Sequence, residues 1–468
     1  MQPTERFAKA PLSGYFKNKA PKRPDPELTS VGPGTPCGEY FRRFWQPVAM
    51  LEELGDVPLR LRILGEDLVL FRDLSGKLGL LELHCTHRGA SLEFGKIVEN
   101  GIKCGYHGWH YGVDGSILDA PTHTADRSPC GKVCQGAYPV REYKGLAFAY
   151  MGPPDKIPDF PIFDFYNRPG LGFRYYKHTS PCNWLQIREN GIDPLHVNYL
   201  HLMFAQQFTD AMTQVPTMEF HESPLGMLYN NTRRCGDMLY LRSNEFIFPN
   251  IDRVNGMEDA LGETVFDRRG AGQDWVVPID DTNSVVFSML EMYDFEMAPA
   301  TQMNGRWDRD KGGDAALGLN RKIETDNQHG ERSYAQRQKN PGDFDAWASQ
   351  GPIHSHEDEY LGASDAGVIL YRKLIRQEIR KVQNGEEPKG VTRKGNGSVR
   401  THGHNTVMKV PQGATPEEDR EIRLGFQRHV LQKIFDGQLG QETADTEKLA
   451  IAREIVKKVS NPKTRNPG

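Results

Sequence analysis

Between Leu59 and Asp73 the chain alternates apolar and polar residues, LRLRILGEDLVLFRD, on both sides of Gly65-Glu66-Asp67. A period of two around a glycine-bearing break predicts a β-hairpin. Short stretches of similar texture, broken by glycines, follow at 77–85 (KLGLLELHC), 101–109 (GIKCGYHGW), 113–118 (VDGSIL) and 145–152 (GLAFAYMG). This first region reads as all-β. Pro153, Pro154, Pro158 and Pro161 then form a proline-dense link, a candidate domain boundary. Beyond it, residues 183–203 have helical character, and 238–249 (MLYLRSNEFIFP) and 282–293 (TNSVVFSMLEMY) are strand-like. Residues 300–345 are polar and rich in Gly, Asp and Arg, which predicts a long excursion; helices are expected at 357–383 and 416–459. Residues 1–40, rich in Pro, Lys and Gly, read as an extended arm. The expected organisation is an arm (1–40), an all-β domain (41–155), and a larger α+β domain (156–468) ending in a helical extension. No internal repeat is visible.

Composition narrows the class. A chain of 468 residues can hold two cores, and 37% hydrophobic with 26% charged residues describes a globular protein rather than a disordered one. No apolar run approaches the ~18 residues needed to span a bilayer, and the first residues lack an apolar segment of the secretory kind. The expected address is the cytoplasm. A net charge of −4 gives no electrostatic reason to expect nucleic acid or an anionic membrane as partner, and the basic run Lys17 to Arg23 reads as solvated. Seven cysteines, at 37, 85, 104, 130, 134, 182 and 235, are odd in number and thinly spread, unlike a disulfide framework. Reduced thiols are expected, which suits metal ligation.

The candidate chemistry starts at Cys85-Thr-His87, followed after sixteen residues by Cys104-Gly-Tyr-His107. Two thiolates and two imidazoles in paired loops are what a mixed-ligand [2Fe–2S] centre needs, with the thiolates on one iron and the imidazoles on the other. Glycines 89, 105, 108 and 112 suit tight ligand loops. The competing reading is a zinc site, although each arm here contributes one Cys and one His, and a C-x-H arm is unusual for zinc. The runs C-T-H-R-G-A-S-L and C-G-Y-H-G-W-H-Y-G-V-D-G resemble the Rieske signature of ring-hydroxylating oxygenases. LTSVGPGTPCGEYFRRFWQPV (28–48) resembles the entry to the phthalate-dioxygenase-like and aromatic O-demethylase-like branch. The resemblance implies an all-β Rieske domain followed by a helix-grip catalytic domain, an antiparallel sheet with helices.

Oxygen chemistry needs a second centre. Asp193-Pro-Leu-His196 and then His201 offer two imidazoles, which with a carboxylate make the facial triad of a mononuclear iron(II) oxygenase. His196 and His201 are five apart, so they converge on one ion only if the helix is widened or bent there. Asp193 before Pro194 reads as an N-cap; the resemblance makes it an electron-transfer bridge, accepting a hydrogen bond from His107 of a neighbouring subunit and holding His196, and a carboxylate has lone pairs enough to cap and bridge together. The resemblance also places the third iron ligand at Asp343, with Asp345 as fallback; the plain reading is an acidic turn after Pro341-Gly342. Arg233-Arg234 offer a site for a substrate carboxylate, with surface arginines as the alternative, and Glu357-Asp358-Glu359 read as the acidic first turn of a helix.

The resemblance implies a terminal oxygenase component that hydroxylates, dihydroxylates or O-demethylates an aromatic, carboxylated substrate with O₂. Electrons would come from an NAD(P)H-dependent reductase, directly or through a ferredoxin, and the assembly would be a homotrimer. The rivals are a Rieske electron carrier, which needs only about the first 160 residues, and a zinc-stabilised binding module.

Overall fold

The computed structural model describes residues 23–167, 171–201, 213–255, 264–268, 271–293, 333–393 and 397–467, together with positions 11, 12, 14 and 395. The basic run before Arg23, the end of the 183–203 stretch, and the 300–345 excursion up to residue 332 lie outside the described residues.

The expected hairpin forms. Leu59–Ile63 pairs antiparallel with Glu66–Arg72, and the two turn residues, Leu64 and Gly65, have φ of 50° and 80°. Two left-handed residues match the twist of the flanking strands. Leu78–Glu82 and Ala137–Tyr138 complete a four-stranded sheet. Its central strand is buried on both faces: Leu68 and Leu70 enter the large core, while Val69 and Phe71 enter a second core that also contains Cys85, Cys104, Trp109 and Tyr111. A three-stranded sheet (Trp45–Met50, Leu146–Tyr150, Val140–Tyr143) and a small four-stranded one (Lys96–Val98, Gly101–Lys103, His110–Tyr111, Ile117–Asp119) complete this all-β region.

The arm expected to be extended is folded from Asp25 onward. Asp25 caps Pro26–Thr29, and Thr35 caps the helix α1, Pro36–Phe41. Here proline marks helix starts rather than extended chain. Leu28, Val31, Cys37, Tyr40 and Phe41 are fully buried, with Phe41 edge-on to Trp184 at 4.8 Å.

The second region is a nine-stranded antiparallel sheet. Its main order is Leu171–Ser180, Asn283–Tyr293, Ala271–Asp280, Ile251–Asn255, Met238–Ile247, Gly226–Cys235 and Thr217–Glu222; His404–Lys409 pairs with Met238–Ile247 and with Val265–Arg268. Alternate residues serve opposite faces. Tyr240 and Val407 meet Val197 near the helix α2, Trp184–Ile192, whereas Leu239, Leu241 and Met408 meet the carboxyl-terminal helices. This is the α+β, helix-grip arrangement expected.

Helix boundaries needed correction. The first long helix, α4, runs Ala366–Gln383 rather than from 357, because Gly362 to Asp365 form a separate short turn. The second is two helices, α5 (Pro416–Phe435) and α6 (Asp445–Val459), separated by the turn at Gly437, φ +79°. Glu357–Glu359 therefore precede the helix and are not its first turn; Glu359 forms an ion pair with Arg372 of α4 (2.5 Å).

Candidate metal centres

Two loops at the small sheet have the same backbone wiring. Cys85 N–H donates to Ala90 O (2.9 Å) and Gly89 N–H to Cys85 O (2.8 Å); Cys104 N–H donates to Trp109 O (2.8 Å) and Gly108 N–H to Cys104 O (3.0 Å). Gly89 and Gly108 sit at φ +74° and +72°, where a side chain would be strained. The loops bring Cys85, His87, Cys104 and His107 together. The two thiols are buried in one core, and the half-buried His87 and His107 rings are 4.7 Å apart. His87 stacks on Trp109 (4.6 Å, 7°), and its Nδ1 is buried with no hydrogen-bond partner among the described residues. A buried nitrogen in that state is costly unless something binds it. Two buried thiols and an orphaned imidazole nitrogen fit a mixed-ligand iron–sulfur cluster.

Two supporting residues escaped the sequence reading. The Tyr111 hydroxyl lies 2.9 Å from Cys85 Sγ, and Gln135 spans the first loop, accepting from Thr86 N–H (2.8 Å) and donating to Glu82 O and His84 O (2.9 Å each). Tyr111 stood inside the motif; Gln135, far along the chain, carried no pattern.

The second group is built on α2 and the turn after it. Asn183 caps α2 through Leu185 N–H (3.1 Å), and the helix ends at Asp193, whose extended backbone suits a residue before proline. The Asp193 carboxylate accepts from Leu195 N–H (2.7 Å) and His196 N–H (3.2 Å), so the capping role is present. His196 is oriented by the main-chain carbonyl of Asp193, 2.5 Å from Nδ1, rather than by the carboxylate. Val197–His201 is a π-helix, the widening that a five-residue step requires.

Into this turn comes Asp343, the first residue of α3, Asp343–Ala348. Its Oδ1 lies 3.1 Å from His201 Nε2 and 3.5 Å from His196 Nε2, and the facing atoms of all three residues lie within 4.8 Å of one another. Burial alone would raise the Asp343 carboxyl, but His201, His196 and Asn190 bring it down to about 2. Burial holds His196 below its usual range. An ionised carboxylate beside a neutral imidazole is a donor set that suits iron(II). Asn190, which the sequence reading passed over although it is three residues before Asp193, donates to Asp343 Oδ1 (3.1 Å). Asp345 points elsewhere, to Arg337 (2.8 Å) and Gly342 N–H (3.0 Å).

With the geometry in place, comparison with known proteins decides the family. Residues 44–144 match the Rieske [2Fe-2S] domain. The chain is 40% identical to the tert-butanol monooxygenase / tert-amyl alcohol desaturase oxygenase subunit of Aquincola tertiaricarbonis, over 78% of this chain and 79% of that protein. This is a Rieske-type non-heme iron oxygenase. It is 37% identical to the phenoxybenzoate dioxygenase subunit alpha of Ectopseudomonas oleovorans, over 84% of this chain and 93% of that one. The terminal oxygenase of carbazole 1,9a-dioxygenase from Novosphingobium sp. KA1 shares the fold, with TM-score 0.54 and 20% identity over 74% of this chain and 96% of that one. The oxygenase is therefore an oxidoreductase subunit with a Rieske [2Fe–2S] cluster and a mononuclear iron as cofactors, supplied with electrons by a partner protein. The electron-carrier and zinc-module readings fall away. Among the described residues no helix is long and apolar enough to cross a membrane.

In the oxygenase the arginine pair is neither surface nor a free clamp. Arg234 is buried against Asp419 (Nε to Oδ1 3.1 Å) and Val410 O (2.6 Å). Arg233, 1% exposed, braces the π-turn: Nη2 donates to Asn198 Oδ1 (3.3 Å) and Nε to Gln214 O (3.0 Å), while Asn198 Nδ2 also donates to Gln214 O (3.0 Å). A cavity of about 1020 Å³ adjoins the centre, lined by Leu200 and Phe344 but by neither His201 nor Asp343.

Proposed function

We propose that Cys85, His87, Cys104 and His107 hold the Rieske cluster, that His196, His201 and Asp343 hold the mononuclear iron, and that the enzyme oxidises an aromatic, carboxylated substrate with O₂ by hydroxylation, dihydroxylation or O-demethylation. The observation that carries this reading is the convergence of His196, His201 and Asp343 from two distant segments onto one point. When bound, the two groups supply single-electron delivery and open positions for activating O₂. The chain's own residues prepare that chemistry. Asp193 O engages His196 Nδ1, which leaves Nε2 turned toward Asp343. Asp193 caps the turn with its carboxylate and keeps lone pairs for a hydrogen bond from His107 of a second copy. His107 is half-buried and the adjacent Tyr106 is 59% exposed, so the imidazole end of the cluster loops lies where another copy can reach it.

The reading includes a homotrimer in the cytoplasm, a reductase as electron source (with or without a ferredoxin), and a division into a Rieske domain at 41–155 and a catalytic domain at 156–468. The aromatic substrate is supported by the relative named for phenoxybenzoate. A tertiary alcohol is the second reading, because the 40%-identical relative is named for tert-butanol.

The test is iron and sulfide content with EPR of the dithionite-reduced protein, followed by product analysis on phenoxybenzoates, methoxybenzoates and tertiary alcohols. Two cluster irons with sulfide and one more iron lost in His201→Ala are expected, with turnover of the carboxylated aromatics. Zinc without sulfide would defeat the metal assignments; turnover of tertiary alcohols alone would replace the substrate.

A further inference from the structure

Asp343 lies 142 residues beyond His201, on a six-residue helix too short to hold itself in place. What fixes its distance from the two histidines is α2, which grips the α3 segment at several points. Asn190 holds the carboxylate itself. One turn earlier on the same helical face, Gln186 is 3% exposed and spends its whole carboxamide on the backbone at the end of α3 and just beyond it. Its Nε2 donates to Trp347 O (2.9 Å) and Gly351 O (3.0 Å), and its Oε1 accepts from His354 N–H (3.0 Å). At the start of α2, Asn183 N–H donates to Pro352 O (2.8 Å). Trp347 is also tied from its ring, where the indole N–H donates to Ser180 Oγ (3.1 Å).

These contacts divide the work. Asn190 and the histidines set the direction of the carboxylate, and Gln186 sets where the carboxyl end of α3 stops against α2. A short helix held at both ends cannot slide or tilt; released at one end, it carries its first residue with it. Metal coordination tolerates only a few tenths of an ångström in ligand distance. Residues that support ligands from outside the coordination shell commonly change metal affinity 10–100-fold when removed.

We propose that Gln186 is a positioning residue for the mononuclear iron: by pinning Trp347, Gly351 and His354 it sets the depth at which Asp343 enters between His196 and His201. The proposal rests on the iron-site reading above. Gln186 touches neither the ligating atoms nor the cluster loops, so its effect is confined to the second centre.

The test uses the full chain with its cluster intact, freed anaerobically of mononuclear iron by a chelator and titrated with cobalt(II). The dissociation constant and the visible d–d band are read for wild type, His201→Ala and Gln186→Met, which keeps side-chain length without hydrogen bonds. Gln186→Met is expected to bind cobalt(II) about 10–100-fold more weakly, with a changed d–d band and an unchanged cluster EPR signal. A lower melting temperature with wild-type affinity and band would overturn the proposal, since a merely structural amide would do that. If wild type and His201→Ala bind cobalt alike, the iron assignment fails and takes this proposal with it. Should Gln186→Met not accumulate, Gly351→Ala displaces the same carbonyl by straining a backbone at φ +95°. Weakened binding there supports the proposal, and unchanged affinity overturns it.

Discussion

Asp343 shows how its hydrogen-bonding and imidazole neighbours outweigh burial at a single residue. Desolvation disfavours its anion, yet the His201 hydrogen bond and the adjacent imidazole hold the carboxyl near 2, so it meets a cation already ionised. Asp343→Asn removes the anionic donor and should lower retained mononuclear iron on the order of tenfold or more, leaving the cluster EPR signal in place. Asp345→Asn should leave the iron and loosen only the Arg337 contact. The opposite balance holds at Asp252, where burial pushes the carboxyl up to about 7 despite Arg188 at 3.5 Å. Asp274 and Arg242 also act on it, and Tyr229 lies within its field. An acid whose folded pKa is raised binds more protons folded than unfolded between pH about 4 and 7, so stability falls as pH rises through that window. Urea denaturation across it should show a shallower fall for Asp252→Asn. The choice of Asp343 over Asp345 was legible only through a family register. That Arg233 braces a turn rather than binding an anion was not legible, because both roles ask for the same side chain.

At the level of elements, α2 and the π-turn after it carry most of the second centre, and their boundaries follow local rules. An asparagine caps the start, and an Asp-Pro step ends the helix. Asn183 also donates from Nδ2 to Thr29 O (2.8 Å) and Asp281 O (2.7 Å), tying α2 to the amino-terminal segment and to a strand end. Asn183→Ala should therefore cost about 2–4 kcal/mol, more than a simple cap, because two buried carbonyls lose their donor. Thermal unfolding of the iron-free protein would measure it. Arg233→Met should cost a similar ~2–4 kcal/mol by taking donors from Gln214 O and Asn198, and should release mononuclear iron while sparing the cluster. The π-turn was readable from the five-residue step between the histidines. What braces it was not, because Arg233 and Gln214 lie 35 and 16 residues from Asn198 and no local spacing links them.

On the scale of the whole molecule, the buried core running from Leu28 to Val399 joins the all-β region to the large sheet, while a separate core surrounds Cys85 and Cys104. The cluster loops thus stand on their own packing, with their imidazole end half-buried. If electrons cross between copies, two inactive variants should rescue one another. Co-expressed His107→Ala and Asp193→Ala chains should recover a substantial fraction of wild-type turnover in mixed oligomers. No recovery, with mixed oligomers demonstrated by mass, would mean that each chain feeds its own iron.

The sequence by itself determined the paired Cys/His loops, the hairpin beside them, and the need for a widened turn between His196 and His201. Each of these depends on neighbours a few residues apart, where spacing and glycine placement act directly on the backbone. Tertiary structure showed that Asp343, the carboxylate the family register named, meets the histidines, and it alone decided that the proline-rich segment after Asp25 is folded and that Gln186 and Arg233 brace the segments carrying these residues. These depend on contacts between segments from 19 residues apart, for Arg233 and Gln214, to 161 apart, for Gln186 and Trp347. A polar side chain there looks the same in sequence whether it faces water, substrate or another strand.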